Sequence, residues 1–429
     1  MLSYFFILYK WLLFLLKISY YFKWVTTTLE GGIYLKNQLI NLGIIGIKLG
    51  QYLHTQRYIL NDEVRIALEP LLSHNNIHSP DDTLKIISKS DSTLFNMIVD
   101  RIDFDNILGS GSLAQTYICY LKNDEKNRYV LKILHPNVLN LKYEIYIIKY
   151  ITKCISYFYK ININWNDFFN NIYEQCDLSI EAENMKEFYN IYVNYDKIEI
   201  PKLIYNNKYY LIMSYCDGTP LHKLDKKSKE YISATNLTAS SFLHTSYKHN
   251  IVHGDLHQGN ILVKENGNIS LIDFGICKRT NYTENNDILY VYEDFVYNLN
   301  FTILEKITKL DKIQQEKSFE LGKKFIIEYN SKKSINSEDK NLQFLPSLGD
   351  YCFKNNIILD CDVLYLIMNL ILLESYTKSD IYNSNIIFRT LSYMKRDKFF
   401  MDQMGDYILK FYKLEYDNED KLLMRIRYP

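Results

Sequence analysis

Three polar side chains, Asp255, Asn260 and Asp273, have the types and the spacing that phosphoryl transfer needs. Asp255 and Asn260 share the segment HGDLHQGN, and Asp273 follows in LIDFG. The residues between Asn260 and Asp273 predict a β-hairpin with an Asn-Gly turn, which would return Asp273 to the same end of the sheet. Amide and carboxylate oxygens suit Mg²⁺, so Asn260 and Asp273 are candidate metal ligands, and Asp255 is the candidate proton acceptor. We expect His253 and His257 to pack this loop rather than bind metal.

A glycine-containing turn lies upstream, in LGSGSLAQTY, between two strand-like runs. Because glycine has no Cβ, backbone N–H groups at such a turn can approach phosphate oxygens closely. The turn therefore predicts a phosphate-binding loop made of Gly109, Gly111, Ser112 and Ala114. Taken alone, the same pattern is also typical of a tight hairpin without a ligand.

Lys132 lies in VLKIL, on the third predicted strand of the same sheet. The residues on either side of it are apolar, and strand alternation turns them to the opposite face. An ammonium group carried on such a strand can reach the α- and β-phosphates of a nucleotide. Its counter-ion should be a helical carboxylate. Glu181 is our choice, with Glu174 and Glu183 as competitors that spacing alone does not exclude.

These groups must be positioned by a helical segment, a small sheet with inserted helices, and a mainly helical second half. Helical spacing covers residues 31–100, and strand-like runs begin at Phe104. Further helices are predicted at 143–160 and 165–194, followed by a hairpin turning at Asn206–Asn207. A surface loop is expected at 330–341 and a core segment at 363–373. The predicted parts are 1–30 (apolar segment), 31–100 (helical extension), 101–216 (sheet with helical insertion) and 217–429 (mainly helical).

The first part, LSYFFILYKWLLFLLKISYYFKWV, is strongly apolar but is interrupted by Lys10, Lys17 and Lys23. It contains no acidic residue, and the first one in the chain is Glu30. Membrane contact is the favoured interpretation, either through a helix lying in the interface or through a true span. A cleaved signal segment and a buried helix of the fold are the alternatives.

The composition excludes several classes of protein. Lys+Arg and Asp+Glu both number 50, so no net charge favours a nucleic-acid partner. The 7 cysteines form no C-x-x-C pair, which argues against a disulfide framework or a zinc site and favours a reducing compartment. Apolar residues make up 47% of the chain and charged residues 23%, as in ordinary globular proteins.

Further segments resemble one family, the ABC1/UbiB/ADCK atypical kinases. The segment GIKLGQYLHTQRYIL resembles its K-x-G-Q motif, with Lys48, Gly50 and Gln51 in the motif positions. GSGSLAQTY resembles the family's alanine-rich loop, and QCDLSIEAENMKEF resembles its E-x-D motif and the helix after it. The resemblance covers about residues 38 to 280. HGDLHQGN by itself is equally similar to the aminoglycoside and choline phosphotransferases.

The resemblance implies an α+β, bilobal protein-kinase-like fold with a helical N-terminal K-x-G-Q extension. It also implies ATP and Mg²⁺ as cofactors, action at a membrane, and a link to ubiquinone or other isoprenoid-lipid metabolism. The organelle stays open, with a mitochondrial membrane among those that the resemblance allows. Lys48 and Gln51 would face the nucleotide, and backbone groups of Met213 to Tyr215 would pair with adenine. Gln175 stands where the first acid of the E-x-D motif is expected.

Three functions follow from these patterns. The first is an atypical kinase or ATPase whose acceptor is water or a small lipid-related molecule. The second is an active Ser/Thr protein kinase with a protein acceptor, which the glycines of GSGSLA favour. The third is a nucleotide-binding scaffold without turnover, whose usual sign, loss of the metal-binding Asp or the strand Lys, is absent.

Overall fold

The computed structural model describes residues 2–55, 60–73, 77–141, 144–150, 152, 165–279, 324, 373, 376 and 386–409. The chain divides into two compact units. The first comprises Met1–Glu183, Leu203–Tyr215 and Gln343–Ile358, and the second comprises Asn184–Lys202, Cys216–Leu342 and Leu359–Pro429. The loop expected at 330–341 and all but the last residue of the core segment expected at 363–373 lie outside the described residues.

The first unit begins with helices in both the apolar segment (1–30) and the predicted extension (31–100). They are α1 (Leu2–Tyr20), α2 (Phe22–Thr27), α3 (Leu29–Asn41), α4 (Ile44–Thr55), α5 (Asp62–Leu68), α6 (Pro80–Ser90) and α7 (Ser92–Ile98). The start of α6 follows from its sequence, because the Ser79 hydroxyl accepts a hydrogen bond from the Asp82 N–H and Pro80 occupies the first turn. The described part of the chain contains no helix long and apolar enough to cross a membrane.

An antiparallel five-stranded sheet forms the core of this unit. Its strands are β1 (Val99–Ser110), β2 (Ala114–Leu121), β3 (Asp124–Leu134), β5 (Leu203–Asn206) and β6 (Tyr210–Ser214), in the order β1-β2-β3-β6-β5. Leu131 and Ile133 of β3 are buried and pack with Tyr117 of β2 and Phe95 of α7. The alternation predicted around Lys132 is therefore confirmed.

Two boundaries differ from the sequence prediction. The first strand begins at Val99 rather than at Phe104, because Val99 and the following residues pair with the end of β2 although aspartate is depleted in strands. The hairpin turn follows Asn206 instead of including it. Asn207 makes the turn, since its side-chain oxygen accepts the N–H groups of Tyr209 and Tyr210.

Two helices come next along the chain, and the boundary between the units falls within the second of them. They are α8 (Trp165–Gln175) and α9 (Leu178–Tyr192). Asp177 separates them and accepts the N–H of Ser179 at 3.1 Å, in the manner of a helix cap. The helix predicted at 143–160 is present at 144–150 and 152, and its remaining residues lie outside the described part.

The second unit contains short strands and long helices. The elements are β4 (Ile198–Glu199), β7 (Thr219–Pro220), α10 (Lys229–Lys248), β8 (Ile251–His253), β9 (Ile261–Val263), β10 (Ile269–Leu271), β11 (Cys277–Arg279) and α11 (Ile386–Met394). One sheet has the order β4-β10-β9-β7, and β8 pairs with β11. The predicted hairpin between Asn260 and Asp273 is present as β9 and β10, with Gly267 at φ +80° in its turn.

Candidate active site

The glycine-containing turn joins β1 to β2 within the first unit. The N–H of Gly111 donates to the carbonyl of Ala114 at 2.9 Å and closes the turn around Ser112. The hydroxyl of Thr116 donates to the carbonyl of Gly109 at 3.0 Å, one step further along the strands. Gly109 and Gly111 are exposed. The turn is thus a short, fixed loop whose outer backbone is accessible.

Lys132 and Glu181 form a buried ion pair in the same unit. The ammonium nitrogen lies 2.6 Å from Glu181 Oε1, and the two side chains are only 13% and 6% exposed. Glu183 is exposed on the outer face of α9. The structure therefore pairs Lys132 with Glu181, the carboxylate chosen from the sequence.

The K-x-G-Q residues lie on α4 and hold that helix against two other segments. Lys48 Nζ donates to Gln175 Oε1 at 3.0 Å, and Gln51 Nε2 donates to the carbonyl of Leu71 at 2.8 Å. A Cβ at Gly50 would overlap Leu71 Cδ1, so a larger residue there would require the Leu71 side chain to move. These contacts describe the motif within the extension, and the nucleotide contacts of Lys48 and Gln51 remain predictions.

The predicted adenine-binding segment, Met213 to Tyr215, covers the end of β6 and the residue after it. Met213 is buried and pairs with Val130 on β3, which holds the end of the strand in the sheet. The N–H of Tyr215 donates to the carbonyl of Arg128 at 3.4 Å, and the Arg128 guanidinium lies 4.1 Å from the Tyr215 ring centroid. The segment is therefore well anchored, and its pairing with adenine remains a prediction.

Asp255 lies in the loop between β8 and β9 of the second unit, and backbone contacts fix this loop. Asn260 Nδ2 donates to the carbonyl of Asp255 at 3.0 Å, and the N–H of Asn260 donates to the carbonyl of His257 at 2.9 Å. The hydroxyl of Tyr376 donates to the carbonyl of Leu256 at 2.7 Å. A loop held at these points keeps the Asp255 backbone in one conformation.

The hairpin brings the two candidate metal ligands together. The N–H of Ile272 donates to the carbonyl of Asn260 at 3.2 Å, so Asp273 follows directly after a contact with Asn260. Because Asn260 Nδ2 is bound to Asp255, the carboxamide oxygen is the atom that can meet a cation. Asp273 Oδ1 accepts the N–H of Gly275 at 2.9 Å, which orients the carboxylate. One amide and one carboxylate oxygen fit Mg²⁺, whose remaining ligands are usually water and phosphate.

His253 is buried and stabilises the loop that carries Asp255. Its Nδ1 accepts the N–H of Asp255 at 3.2 Å, and its ring packs 5.8 Å from Phe188 and 5.4 Å from Phe274. Burial lowers the pKa of His253 to about 4, so it is neutral at pH 7. Within the described residues no group of three or more His, Cys, Asp or Glu side chains is arranged to hold a metal.

Sequence reasoning missed Asn184 as a supporting residue. Its Nδ2 donates to the carbonyl of Phe274 at 3.0 Å, next to Asp273. The available signal was its position on α9, because Asn184 lies four residues before Phe188 on one face of that helix. Ninety residues separate it from Phe274 in the sequence, so no local pattern predicts the contact.

Comparisons with known proteins point in one direction. The family model described as the ABC1 atypical kinase-like domain matches residues 87–306, slightly more than half of the chain. Among curated proteins, the chain is 28% identical over 256 residues to probable serine/threonine-protein kinase abkC of Dictyostelium discoideum, covering 55% of this chain and 36% of that protein. It is 27% identical over 262 residues to ABC1 family protein MCP2 of Saccharomyces cerevisiae, covering 55% and 45%.

A third curated relative is probable protein kinase UbiB of Histophilus somni, 26% identical over 287 residues, covering 62% of this chain and 51% of that protein. The chain thus spans about half or less of the length of these relatives. A solved structure, the Rv3197–erythromycin complex from Mycobacterium tuberculosis, has a TM-score of 0.46 and 13% identity, covering 68% of this chain and 80% of that one. The family match, together with the two-unit α+β architecture, confirms the predicted protein-kinase-like fold class.

Proposed function

Because the chain belongs to the ABC1 atypical kinase-like family, we propose that it is an ATP- and Mg²⁺-dependent phosphotransferase or ATPase acting at a membrane surface. The observation that carries the proposal is the buried ion pair between Lys132 and Glu181, at 2.6 Å. A buried ion pair contributes little to stability on balance, since desolvation offsets its attraction. Its place on a strand beside the glycine turn fits a different purpose, which is to hold an ammonium group for phosphate oxygens.

The residues of the first unit would bind the nucleotide. Backbone groups of the glycine turn would approach the phosphates, Lys132 would neutralise them, and backbone groups of Met213 to Tyr215 would pair with adenine. Lys48 and Gln51 would add polar contacts from the extension. The proposed nucleotide-binding set is Gly109, Gly111, Ser112, Ala114, Lys132, Met213, Tyr215, Lys48 and Gln51.

The residues of the second unit would bind the metal and activate the acceptor. Asn260 and Asp273 would hold Mg²⁺, which when bound supplies charge neutralisation for the transferring phosphoryl group. Asp255 would orient the attacking hydroxyl or water and accept its proton. These assignments rest on the fixed loop around Asp255 and on the orientation of the Asn260 carboxamide.

The acceptor that we propose is water or a small lipid-related molecule, and the process served is quinone or isoprenoid-lipid metabolism, as the family resemblance implies. One relative, ABC1 family protein YPL109C of Saccharomyces cerevisiae, is named as mitochondrial and is 26% identical over 254 residues. A membrane-associated site in a reducing compartment, with a mitochondrial membrane as the first candidate, is the location that we propose.

The membrane part of the proposal depends on α1. Trp11 and Phe14 are buried against the first unit, and Trp11 Nε1 donates to Glu144 Oε1 at 3.2 Å. Other large apolar residues of α1 are exposed, namely Phe5, Phe6, Tyr9, Leu12, Leu13, Leu16 and Tyr20. An apolar surface of this extent on a helix that also carries Lys10 and Lys17 suits insertion into the headgroup region of a bilayer.

The first test is ADP release by the full chain with Mg-ATP, with and without liposomes, beside Asp255→Asn and with intact mass measured in the same samples. ADP that depends on Asp255 and increases with liposomes, without a gain in mass, would support the proposal. A phosphate-sized mass gain would favour the Ser/Thr protein kinase instead. Absence of ADP in every sample would refute turnover and leave a nucleotide-binding scaffold.

A further inference from the structure

His135 directly follows β3 and contacts both ends of the glycine turn. Its ring Nε2 lies 2.9 Å from the carbonyl oxygen of Gly111, and its backbone N–H donates to the carbonyl of Leu113 at 2.8 Å. His135 itself is 3% exposed. A single buried residue therefore determines which way two carbonyl groups of the proposed phosphate loop point.

A second histidine, His78, fixes the His135 ring from the other side. The two Nδ1 atoms lie 2.7 Å apart, with the rings at right angles. His78 Nε2 lies 2.8 Å from Thr83 Oγ1, which in turn lies 3.1 Å from the Tyr117 hydroxyl. Gln115 Nε2 donates to the same Tyr117 hydroxyl. These five buried or half-buried side chains connect α6 of the extension to the turn between β1 and β2.

With both imidazole rings neutral, the hydrogen-bonding groups allow one arrangement of protons. A carbonyl oxygen only accepts, so His135 must carry a proton on Nε2, and its Nδ1 is then an acceptor. His78 must therefore donate from Nδ1, and its Nε2 accepts from Thr83. Along this path Gln115 donates to the Tyr117 hydroxyl, which donates to the Thr83 hydroxyl, which donates to His78 Nε2. His78 Nδ1 then donates to His135 Nδ1, and His135 Nε2 donates to the Gly111 carbonyl. Both histidines are neutral in this arrangement.

The surroundings favour the neutral forms. Burial lowers the pKa of His78 to about 4, and burial also lowers the pKa of His135 despite its bond to Gly111. The charged group facing His78 from α6 is Asp82, which pairs with Lys85 at 3.2 Å. Its charge raises the pKa of His78 by less than burial lowers it. Tyr117 faces His78 from β2, and His135 faces it from the end of β3.

We propose that His135, oriented by His78, is a positioning residue for nucleotide binding, and this proposal rests on the ATP use proposed above. Because a peptide unit is planar and trans, a Gly111 carbonyl held by His135 directs the N–H of Ser112 to the opposite side. Released, the same carbonyl can turn outward, where its negative end would repel a phosphate oxygen. His135 thus keeps the Gly111 carbonyl oxygen away from the phosphate-binding side of the loop and keeps the Ser112 N–H on that side.

The test compares His135→Ala and His135→Gln with the wild type, measuring the Kd for Mg-ATP, kcat, KM and the melting temperature. The Gln carboxamide offers both a hydrogen-bond donor and an acceptor and carries no titratable proton. His222→Ala is the matched control, because His222 is exposed and lies outside the network. We expect His135→Ala to raise Kd and KM for ATP by about 5- to 10-fold with a smaller change in kcat, as loss of one hydrogen bond would. His135→Gln should recover most of the affinity.

The comparison of the two His135 variants separates positioning from a purely structural role. His135→Gln keeps a donor for the Gly111 carbonyl, so it should restore the affinity for Mg-ATP that His135→Ala loses, even if both variants have the same lowered melting temperature. A lowered melting temperature with unchanged Kd in His135→Ala, or an equal rise in Kd in both variants, would overturn the positioning role alone. A wild type that binds no Mg-ATP would overturn the proposed function and this proposal with it.

Discussion

The buried ion pair between Lys132 and Glu181 leads to a prediction about activity. Glu181→Gln would remove the carboxylate charge that lies 2.6 Å from the ammonium group, and the lysine would shift away from its present position. We expect kcat/KM for ADP release to fall on the order of 10², in the range found for losing one preorganised electrostatic contact. The matched control is Glu183→Gln on the exposed face of the same helix, which should stay within about twofold of the wild type because surface changes have small effects. Equal loss in both variants would refute the assignment.

The sequence predicted Glu181 as the partner but could not reject its competitors. Spacing gives the period of a helix and leaves its rotation open. The structure sets that rotation through Asp177, which caps the start of α9 and places Glu181 inward with Met185 while Glu183 faces solvent. His135 and Asn184 were not predicted because their partners are distant in sequence and only folding brings them together.

At the scale of elements, the hairpin β9–β10 carries Asp273 back to Asn260, and its turn depends on Gly267. Gly267 has φ +80°, and a Cβ there would lie 2.9 Å from Ser233 Cβ on α10. Gly267→Ala should therefore lower the free energy of unfolding by about 1–2 kcal/mol, the cost of a left-handed conformation for an L-residue. Urea unfolding measures it, with Glu265→Ala in the same exposed turn as the control. If the two variants had the same urea midpoint, the turn would not be under conformational constraint.

A second element-scale prediction concerns Asp397, which follows α11 and holds it to the segment before β4 within the second unit. It accepts hydrogen bonds from Tyr195 OH at 2.8 Å and from Lys197 Nζ at 2.6 Å. Burial alone would raise the pKa of Asp397, but these two donors outweigh it and hold the pKa below its ordinary value. The resulting stability is complete above the unfolded pKa of about 3.9 and is lost as the pH falls through the lower folded pKa.

Asp397→Asn should accordingly cost roughly 1 kcal/mol at pH 7, a modest value because Lys197 is half-exposed and its charge is screened. The difference from the wild type should shrink when the pH is lowered below about 4. Urea unfolding at a series of pH values tests this, with the exposed Asp402→Asn as the control. A difference that stayed constant down to low pH would show that the carboxylate charge does not contribute.

The strands and hairpins were more predictable than their ends. Asn-Gly and Asn-Asn steps set turns through local chemistry, so the hairpins at 203–214 and 261–271 follow from the sequence. The long β1 does not, because its first residues include Asp100 and Asp103 and extend as a strand only through pairing with β2. Pairing with a neighbour outweighed local preference at that point.

At the scale of the whole molecule, the N-terminal segment decides where the chemistry would take place. Its sequence left an interfacial helix, a span, a cleaved signal and a buried helix open. The structure buries one face of α1 through Trp11 and Phe14, as the buried-helix alternative requires, and exposes the other face, whose contact with a membrane stays a proposal. No sequence pattern predicts this division, because almost every position of the segment is apolar and only the packed neighbours distinguish its faces.

The last prediction tests that exposed face directly. Replacing Phe5, Tyr9 and Leu16 together with Ser removes side chains that are 67%, 62% and 70% exposed, and so should leave the fold intact. Transfer of each such side chain into a bilayer is worth on the order of 1 kcal/mol or more, so liposome co-sedimentation should fall at least about tenfold. Nucleotide binding should be unchanged, because none of the three contacts the proposed site.

The chain supplies its own matched control for this experiment. Ile66, Leu84 and Met97 are exposed to 61%, 48% and 66% and lie on three other helices or their ends. A triple Ser variant at these positions removes comparable apolar surface without touching α1, so it should sediment with liposomes as the wild type does. If both triple variants lost liposome binding equally, general surface hydrophobicity would explain the attachment. If neither did, α1 would not be the membrane contact, and the acceptor could no longer be argued to lie at a bilayer.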